Sequence, residues 1–411
     1  MKWASSISFE TDLGTALTGI KRDLVQQLGE RPDLLLVFVT PHYEDQTQRL
    51  PELVAARVSP RLLLGCTAVG VIGGGREVEE RCAVVATGAS LPDVTMTPFR
   101  LTAGDLPDLD TGPSHWHEAL GVDPEPGTHF LLLADPGGTL TFDPRPLLMG
   151  LDFAYPASTT TGGLASVLQE NRLFLDDAVF EGGCVGVALQ GNLHVDAIVA
   201  QGCRPIGPMM TVTDCSGYFL TALDKRPAVE VLVELFHKLD EADQELLQRS
   251  LHLGVATTGL KSDLGRGDFL MRNVLQLDHE KGVISVGDLL RNGQTIQFHL
   301  RDATTAGEDL ANMLERYRRE QPGVDPAGAL LFTCTGRGQR FFGTTGHDSG
   351  RFVEHLGDVP IGGFFCGGEI APVGGTTYLH GYTSAFAVFR PASRLTPPTA
   401  AGPLPARGPR R

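Results

Sequence analysis

Residues 330–370 contain the pattern that decides the fold of this chain, and they read LLFTCTGRGQRFFGTTGHDSGRFVEHLGDVPIGGFFCGGEI. Residues 330–333 form a short apolar run of strand length, and residues 359–361 form a second one. Between them, residues 347–356 have the length of a crossover helix, which two parallel strands need. Glycines 362 and 363 follow the second run. This order predicts a strand, a crossover, a parallel strand and a glycine loop.

The same order occurs twice earlier in the chain, at nearly the same spacing. The earlier pairs of apolar runs lie at residues 34–39 and 61–64, before Gly65, and at 130–133 and 154–161, before Gly162. Each of the three glycine clusters precedes a further strand-like run, at residues 82–87, 184–189 and 383–389. We therefore predict three related βαβ-plus-hairpin units. The alternative is coincidence, because strand and helix lengths vary within narrow limits.

The residues between the second and third units indicate a different kind of structure. Apolar spacing indicates a helix at residues 229–239, and strands at 269–277, 282–286 and 294–300 follow it, with Asn292-Gly293 as a tight turn. The predicted class is mixed α/β, with the repeated units forming two mixed-sheet domains. These domains are residues 1–200 and 201–390. Residues 391–411 hold six prolines and no acidic residue, which predicts a disordered tail.

Composition excludes several classes of function. The 411 residues carry a net charge of −15, which disfavours nucleic acid and anionic membranes as partners. We find no apolar run long enough to cross a membrane and no secretory signal, so we expect a cytoplasmic protein. The seven cysteines form no CxxC pair and predict neither disulfides nor a zinc site. Since no complete nucleotide-binding glycine motif is present, we expect no cofactor.

The glycine clusters predict where a ligand binds, because ligands occupy the crevice beyond the carboxyl ends of parallel strands. Arg337 and Glu369 follow neighbouring strands of the third unit, so they could hold the carboxylate and the ammonium group of an amino-acid-like ligand. They could instead pair with each other or with solvent, and the first two clusters could be packing turns. The predicted ligand-binding residues are Gly65, Cys66, Thr67, Gly162, Gly163, Cys334, Arg337, Cys366, Gly367, Gly368 and Glu369.

Thiol chemistry is an alternative at the third unit. Cys334 or Cys366 could act as a nucleophile in acyl transfer or hydrolysis if His347 or His380 served as the base. Free cysteines are usually buried, however, and proximity in sequence does not establish a contact. We predict no metal site, because His115 and His117 belong to a surface helix. We expect no enzymatic activity.

In these motifs the chain resembles the FIST family, named for F-box and intracellular signal transduction proteins. The resemblance is carried by the motifs at residues 64–72, 76–77, 161–165, 201–207, 334–337 and 362–370. It implies a FIST-N half to about residue 200 and a FIST-C half after it. It also implies a sensory module that binds small ligands such as amino acids.

The sequence therefore predicts a signal-transduction module that binds a small ligand and reports its presence. We see no F-box and no kinase or cyclase domain in the chain, so the output requires a protein partner that the sequence does not identify. Two other functions remain open. One is the cysteine-dependent enzyme, and the other is a scaffold for protein interactions.

Overall fold

Three six-stranded mixed sheets and one barrel-like sheet make up the fold. The computed structural model describes residues 1–137, 142–167, 170–257, 264, 267–323 and 325–392. Residues 393–411, most of the proposed tail, lie outside the described residues. The mixed α/β class and the repeated units predicted from the sequence are confirmed.

The first unit forms around two parallel strands. Its elements are β1 (Lys2–Ser8), α1 (Leu13–Leu28), β2 (Leu34–Val39), α2 (Leu50–Arg57), β3 (Leu62–Thr67), β4 (Gly70–Gly73), β5 (Arg76–Glu79) and β6 (Val84–Ser90). Asp12 caps α1 by accepting a hydrogen bond from the Thr15 backbone N–H, and Gly29 ends the helix in the left-handed conformation. Strand β2 pairs in parallel with β3 and antiparallel with β6, which pairs with β1.

The second unit repeats this arrangement. Its elements are β7 (Val94–Leu101), α3 (Pro113–Leu120), β8 (His129–Asp135), α4 (Pro144–Ala154), β9 (Thr159–Leu164), β10 (Leu173–Leu175), β11 (Ala178–Phe180) and β12 (Gly183–Gly191). Strands β8 and β9 are parallel, and β12 lies between β8 and β7. The predicted strand at residues 154–161 is wrong in its first part, because α4 extends to Ala154 and the strand begins at Thr159.

A barrel interrupts the third unit after its first strand, β13 (His194–Ala200). The barrel consists of β14 (Arg204–Ser216), β15 (Phe219–Leu223), β16 (Arg226–Pro227), α5 (Ala228–Lys238), α6 (Glu241–Ser250), β17 (Leu251–Ala256), β18 (Phe269–Asp278), β19 (Val283–Val286) and β20 (Thr295–Leu300). Strand β14 pairs with both β20 and β15, which closes the sheet. The antiparallel middle block predicted from the sequence is therefore present.

The chain then completes the third unit. Its remaining elements are α7 (Ala303–Glu320), β21 (Gly328–Cys334), α8 (Gln339–Phe342), α9 (His347–Leu356), β22 (Ile361–Cys366), β23 (Glu369–Val373), β24 (Thr376–His380) and β25 (Ser384–Arg390). Strands β21 and β22 are parallel, and β25 lies between β21 and β13. This βαβ arrangement is the one that residues 330–370 predict.

The three units exchange their hairpins in a ring. Hairpin β4–β5 of the first unit pairs with β22 of the third. Hairpin β10–β11 of the second unit pairs with β3 of the first, and hairpin β23–β24 of the third pairs with β9 of the second. Each six-stranded sheet is therefore completed by a neighbouring unit, which the sequence pattern does not reveal.

The sheets are buried on both faces. Their inner faces share one apolar core, to which Phe38, Leu133 and Phe332 contribute from the three sheets, while helices cover the outer faces in separate clusters. Strands buried on both sides are continuous apolar runs, which explains the pattern in the sequence.

Candidate ligand-binding site

The sequence pattern predicts loops at the glycine clusters, but most of these glycines lie inside strands, so that prediction is wrong for them. Gly65 belongs to β3, Gly162 and Gly163 belong to β9, and Gly363 belongs to β22. A Cβ on Gly162 would stand 1.8 Å from the Leu132 carbonyl oxygen of the neighbouring parallel strand. Gly65 and Gly363 meet the equivalent carbonyls, those of Val37 and Leu331, at 2.2 and 1.9 Å. These glycines therefore allow close contact between strands.

The ends of β9 and β22 converge on one another. The Leu164 N–H donates to the Gly368 carbonyl at 2.8 Å, and the Gly367 N–H donates to the Leu164 carbonyl at 3.0 Å. A Cβ on Gly163 would lie 2.4 Å from the Cys366 sulfur. At this junction the predicted site residues contact protein atoms, and their ligand-binding role stays a prediction.

Thr67, at the end of β3, lines a small polar cavity of about 260 Å³. Its hydroxyl accepts a hydrogen bond from the Arg172 N–H at 2.9 Å, and Pro41, Glu44 and Arg172 also line the cavity. Gly65 and Cys66 lie in the strand behind it and are buried. Of the predicted residues in the first unit, Thr67 is the one placed on this cavity.

The end of the third unit's parallel pair holds a denser polar cluster. Arg337 donates from Nε to Asp348 Oδ2 at 2.8 Å and from Nη2 to Oδ1 at 3.0 Å, and both side chains are buried. The Thr333 hydroxyl and His347 Nδ1 also hydrogen-bond to this carboxylate. Burial alone would raise the pKa of Asp348, but the guanidinium and these hydrogen bonds hold it well below its usual range.

Glu369 is the second buried carboxyl group of this cluster. Its Oε2 accepts a hydrogen bond from the Thr383 N–H at 3.0 Å. Burial raises the pKa of Glu369 well above its usual value, although the nearby charges of Arg337 and Arg301 act in the opposite direction. Burial therefore favours the neutral acid even with these two guanidinium groups nearby.

Arg301, which sequence reasoning missed, connects the barrel to this cluster. It follows β20, donates from Nη2 to the Gly336 carbonyl at 2.8 Å and packs over the rings of Phe341 and Tyr382. Burial lowers the pKa of Arg301, and the like charge of Arg337 lowers it further. No motif in the sequence indicates this residue, because it reaches the site only through the tertiary packing of the barrel.

Among the described residues, three buried polar atoms of this cluster have no hydrogen-bond partner: Arg301 Nε, Arg337 Nη1 and Glu369 Oε1. Such atoms are uncommon in native proteins and each costs about 1–3 kcal/mol. The Thr335-Gly336 turn beside them is exposed to solvent. We define Arg301, Gly336, Arg337, Glu369 and Tyr382 as the arginine cluster.

The two cysteines of the third unit have raised pKa values. Burial raises the pKa of the Cys334 thiol to about 11, with a further contribution from Glu369, although the Gly336 N–H points at its sulfur from 3.4 Å. Burial raises the pKa of Cys366 well above its usual value. His347 stacks on Phe342, and His380 Nε2 is 3.0 Å from the Ala371 carbonyl. These environments favour neutral thiols.

The described residues were searched for metal-binding clusters and for membrane-spanning helices. Within them, no group of three or more His, Cys, Asp or Glu side chains could hold a metal ion. The helices in that same part of the chain are too short or too polar to span a membrane.

Comparison with known proteins shows which family models match the chain. The model of the FIST N domain matches residues 33–226, and that of the FIST C domain matches residues 228–372. An uncharacterized protein of Mycobacterium tuberculosis is 37% identical over 364 residues, covering 88% of this chain and 92% of the relative. An uncharacterized protein of Mycobacterium bovis is 35% identical over 364 residues, with 88% and 91% covered.

Among solved structures, cyanuric acid hydrolase from A. caulinodans aligns over 95% of this chain and 99% of its own. Its sequence identity is 7% and the TM-score is 0.34. A likeness at this level carries no argument about function.

Proposed function

Since the chain belongs to the FIST family, whose domains are sensor domains of signal transduction, we propose that it senses a small amino-acid-like ligand at the arginine cluster. The ligand carboxylate binds the guanidinium groups of Arg301 and Arg337, and its ammonium group lies beside Glu369. A separate signalling protein then reads the occupied state.

The observation that carries this proposal is the set of unpaired buried atoms at the arginine cluster. In the part of the chain that the structure describes, Arg301 Nε and Arg337 Nη1 are donors without an acceptor, and Glu369 Oε1 has no hydrogen-bond donor. A carboxylate supplies two acceptor oxygens, which suits two neighbouring guanidinium groups. An ammonium group beside Glu369 would favour the ionised carboxylate and release its proton.

The position of the cluster suggests how binding would be reported. Arg301 follows the last barrel strand, whereas Arg337 and Glu369 belong to the third unit. Gly202, at the entrance to the barrel, is packed so closely that a Cβ would lie 2.7 Å from Arg337 Nη1. A ligand between these groups would stabilise one placement of the barrel relative to the third unit. Such a change in the placement of the barrel requires that the ligand bind the two placements with different affinity.

Titration calorimetry with a panel of amino acids tests this proposal. We expect one ligand per chain, and at about 100 times its Kd the ligand should stabilise the protein by about 2.7 kcal/mol. Arg301→Ala should weaken binding roughly tenfold or more, since charged hydrogen bonds are lost. Glu369→Gln keeps the shape of the side chain and should weaken only ligands with an ammonium group.

Arg316→Ala is the matched control, because Arg316 lies on α7 in an exposed pair with Glu320. It should leave binding unchanged. Failure of the amino acids to bind at millimolar concentration, or equal binding by wild type and Arg301→Ala, would refute the proposed site.

The raised pKa values make the thiol alternative less favourable than ligand binding. Mass spectrometry with iodoacetamide at pH 7 separates the two functions. We expect Cys82 to react before Cys334, which is also half-buried but has a raised thiol pKa, and before the buried Cys366. Faster labelling of Cys334 would favour thiol chemistry.

A further inference from the structure

An apolar cavity in the barrel lies outside the arginine cluster. It has a volume of about 560 Å³ and is lined by one face of α5, the end of α6 and strand β18. Val229, Leu232 and Leu247 are buried lining residues, and Val233 and Leu275 are exposed at the rim. Binding pockets for small molecules are mostly apolar and occupy about 300–1,000 Å³.

Leu275 owes its position to an irregularity in the sheet. Val274 pairs with Val286 and Gln276 pairs with Ser285, so Leu275 is an extra residue in the ladder between β18 and β19. Such a bulge redirects a side chain and is common beside functional sites. Leu275 is 62% exposed, which is unusual for a leucine that lines a cavity.

Among the described residues that line the cavity, the ionisable side chains are Arg249 and His279, and none is a carboxylate. Arg249 contacts Glu245 at 3.5 Å, but both side chains are more than 70% exposed. Solvent screens such a pair, so Arg249 can exchange it for an incoming anion at little cost. This basic edge on an apolar cavity contrasts with the chain's net charge of −15.

From this complementarity we propose that the barrel binds an amphiphilic carboxylate of the fatty-acid class. Its hydrocarbon chain lies against Leu232, Phe236 and Leu275, and its carboxylate binds Arg249. The site is separate from the arginine cluster, so an amino acid and a fatty acid would occupy different parts of the protein.

Calorimetric titration with laurate below its micelle concentration tests this inference. Wild type should bind one laurate per chain, and dodecyltrimethylammonium, which has the opposite charge, should bind at least several-fold more weakly. Arg249→Ala should weaken laurate binding roughly fivefold. The control Arg316→Ala removes another exposed arginine that has an i,i+4 partner, and this variant should bind laurate as tightly as wild type.

Leu275→Asp should abolish laurate binding, because it places an anion where the chain lies. Leu289 is 54% exposed on the same barrel but does not line the cavity, so Leu289→Asp is the matched control for folding and should retain binding. The inference is overturned if laurate does not bind or binds Leu275→Asp as tightly as wild type. Concentration-dependent dimerisation that Leu275→Asp removes, without laurate binding, would instead identify a self-association surface.

Discussion

Arg337 and Asp348 form a bidentate ion pair from which solvent is excluded, with N–O distances of 2.8 and 3.0 Å. The pair joins the turn after β21 to the first turn of α9. Asp348 accepts from Nε and Nη2 of Arg337. Among the described residues, Nη1 is the guanidinium nitrogen that has no hydrogen-bond partner. Arg337 is thus held in place by Asp348, while its buried Nη1 packs beside Gly202.

Breaking this ion pair should strongly destabilise the protein. Asp348→Asn removes the negative charge with which the buried Arg337 guanidinium pairs, which should lower the free energy of unfolding by about 3–5 kcal/mol. The control is Glu354→Gln, in the exposed pair with Arg351, and its effect should stay within about 1 kcal/mol. Urea unfolding measures both, and equal effects would contradict the prediction.

The free energy of unfolding should depend on pH in part through the titration of Glu77. Burial and the negative charge of Asp348 raise the pKa of Glu77 to about 7, although the Ser349 N–H donates to it at 2.6 Å. Between its unfolded pKa near 4.5 and about 7, the native state binds more protons than the unfolded state. The free energy of unfolding contributed by Glu77 therefore falls as pH rises, by on the order of 3 kcal/mol.

Glu77→Gln isolates this contribution. Burial lowers the pKa of His129, His252 and His380 to about 4, so these groups make stability rise with pH over part of the same range. The informative quantity is the difference between variant and wild type in unfolding experiments from pH 4.5 to 7.5. That difference should grow in favour of the variant as pH rises, and parallel profiles would rule out a titrating Glu77.

Two glycine-to-alanine substitutions should have opposite effects. Gly162→Ala places a Cβ 1.8 Å from the Leu132 carbonyl oxygen and should cost several kcal/mol or prevent folding. Gly19 lies within α1, where a Cβ would have no atom of the described residues within 4 Å, so Gly19→Ala should stabilise by about 0.5–1 kcal/mol. Thermal unfolding distinguishes them, and a tolerated Gly162→Ala would show that β8 and β9 can separate.

The exchanged hairpins predict that the two halves of the chain depend on each other. Residues 1–200 lack β23, which covers β9, and residues 201–411 lack β4, which covers β22. Each half alone would expose an unpaired strand edge and should aggregate, whereas the halves expressed together should copurify. Affinity purification of one tagged half checks this. A soluble first half that unfolds cooperatively on its own would contradict it.

Much of the local structure could be predicted from the sequence. Helix α1 is an element that local signals specify, because its apolar face and its final glycine can both be read along the chain. The parallel pair β21 and β22 was expected from two apolar runs separated by a crossover. The glycine positions were predicted less well, because a glycine inside a strand and one in a loop look alike without knowledge of the neighbouring strand.

By itself, the sequence determined the class of the fold, the three repeated units and the presence of Arg337 and Glu369 after neighbouring strands. These features depend on periodicity and chain direction, which act over short stretches. Only the tertiary structure decided that Arg337 pairs with Asp348, that Arg301 arrives from the barrel, and that the hairpins cross between units. Those contacts depend on packing between distant segments, where burial and charge select the partner.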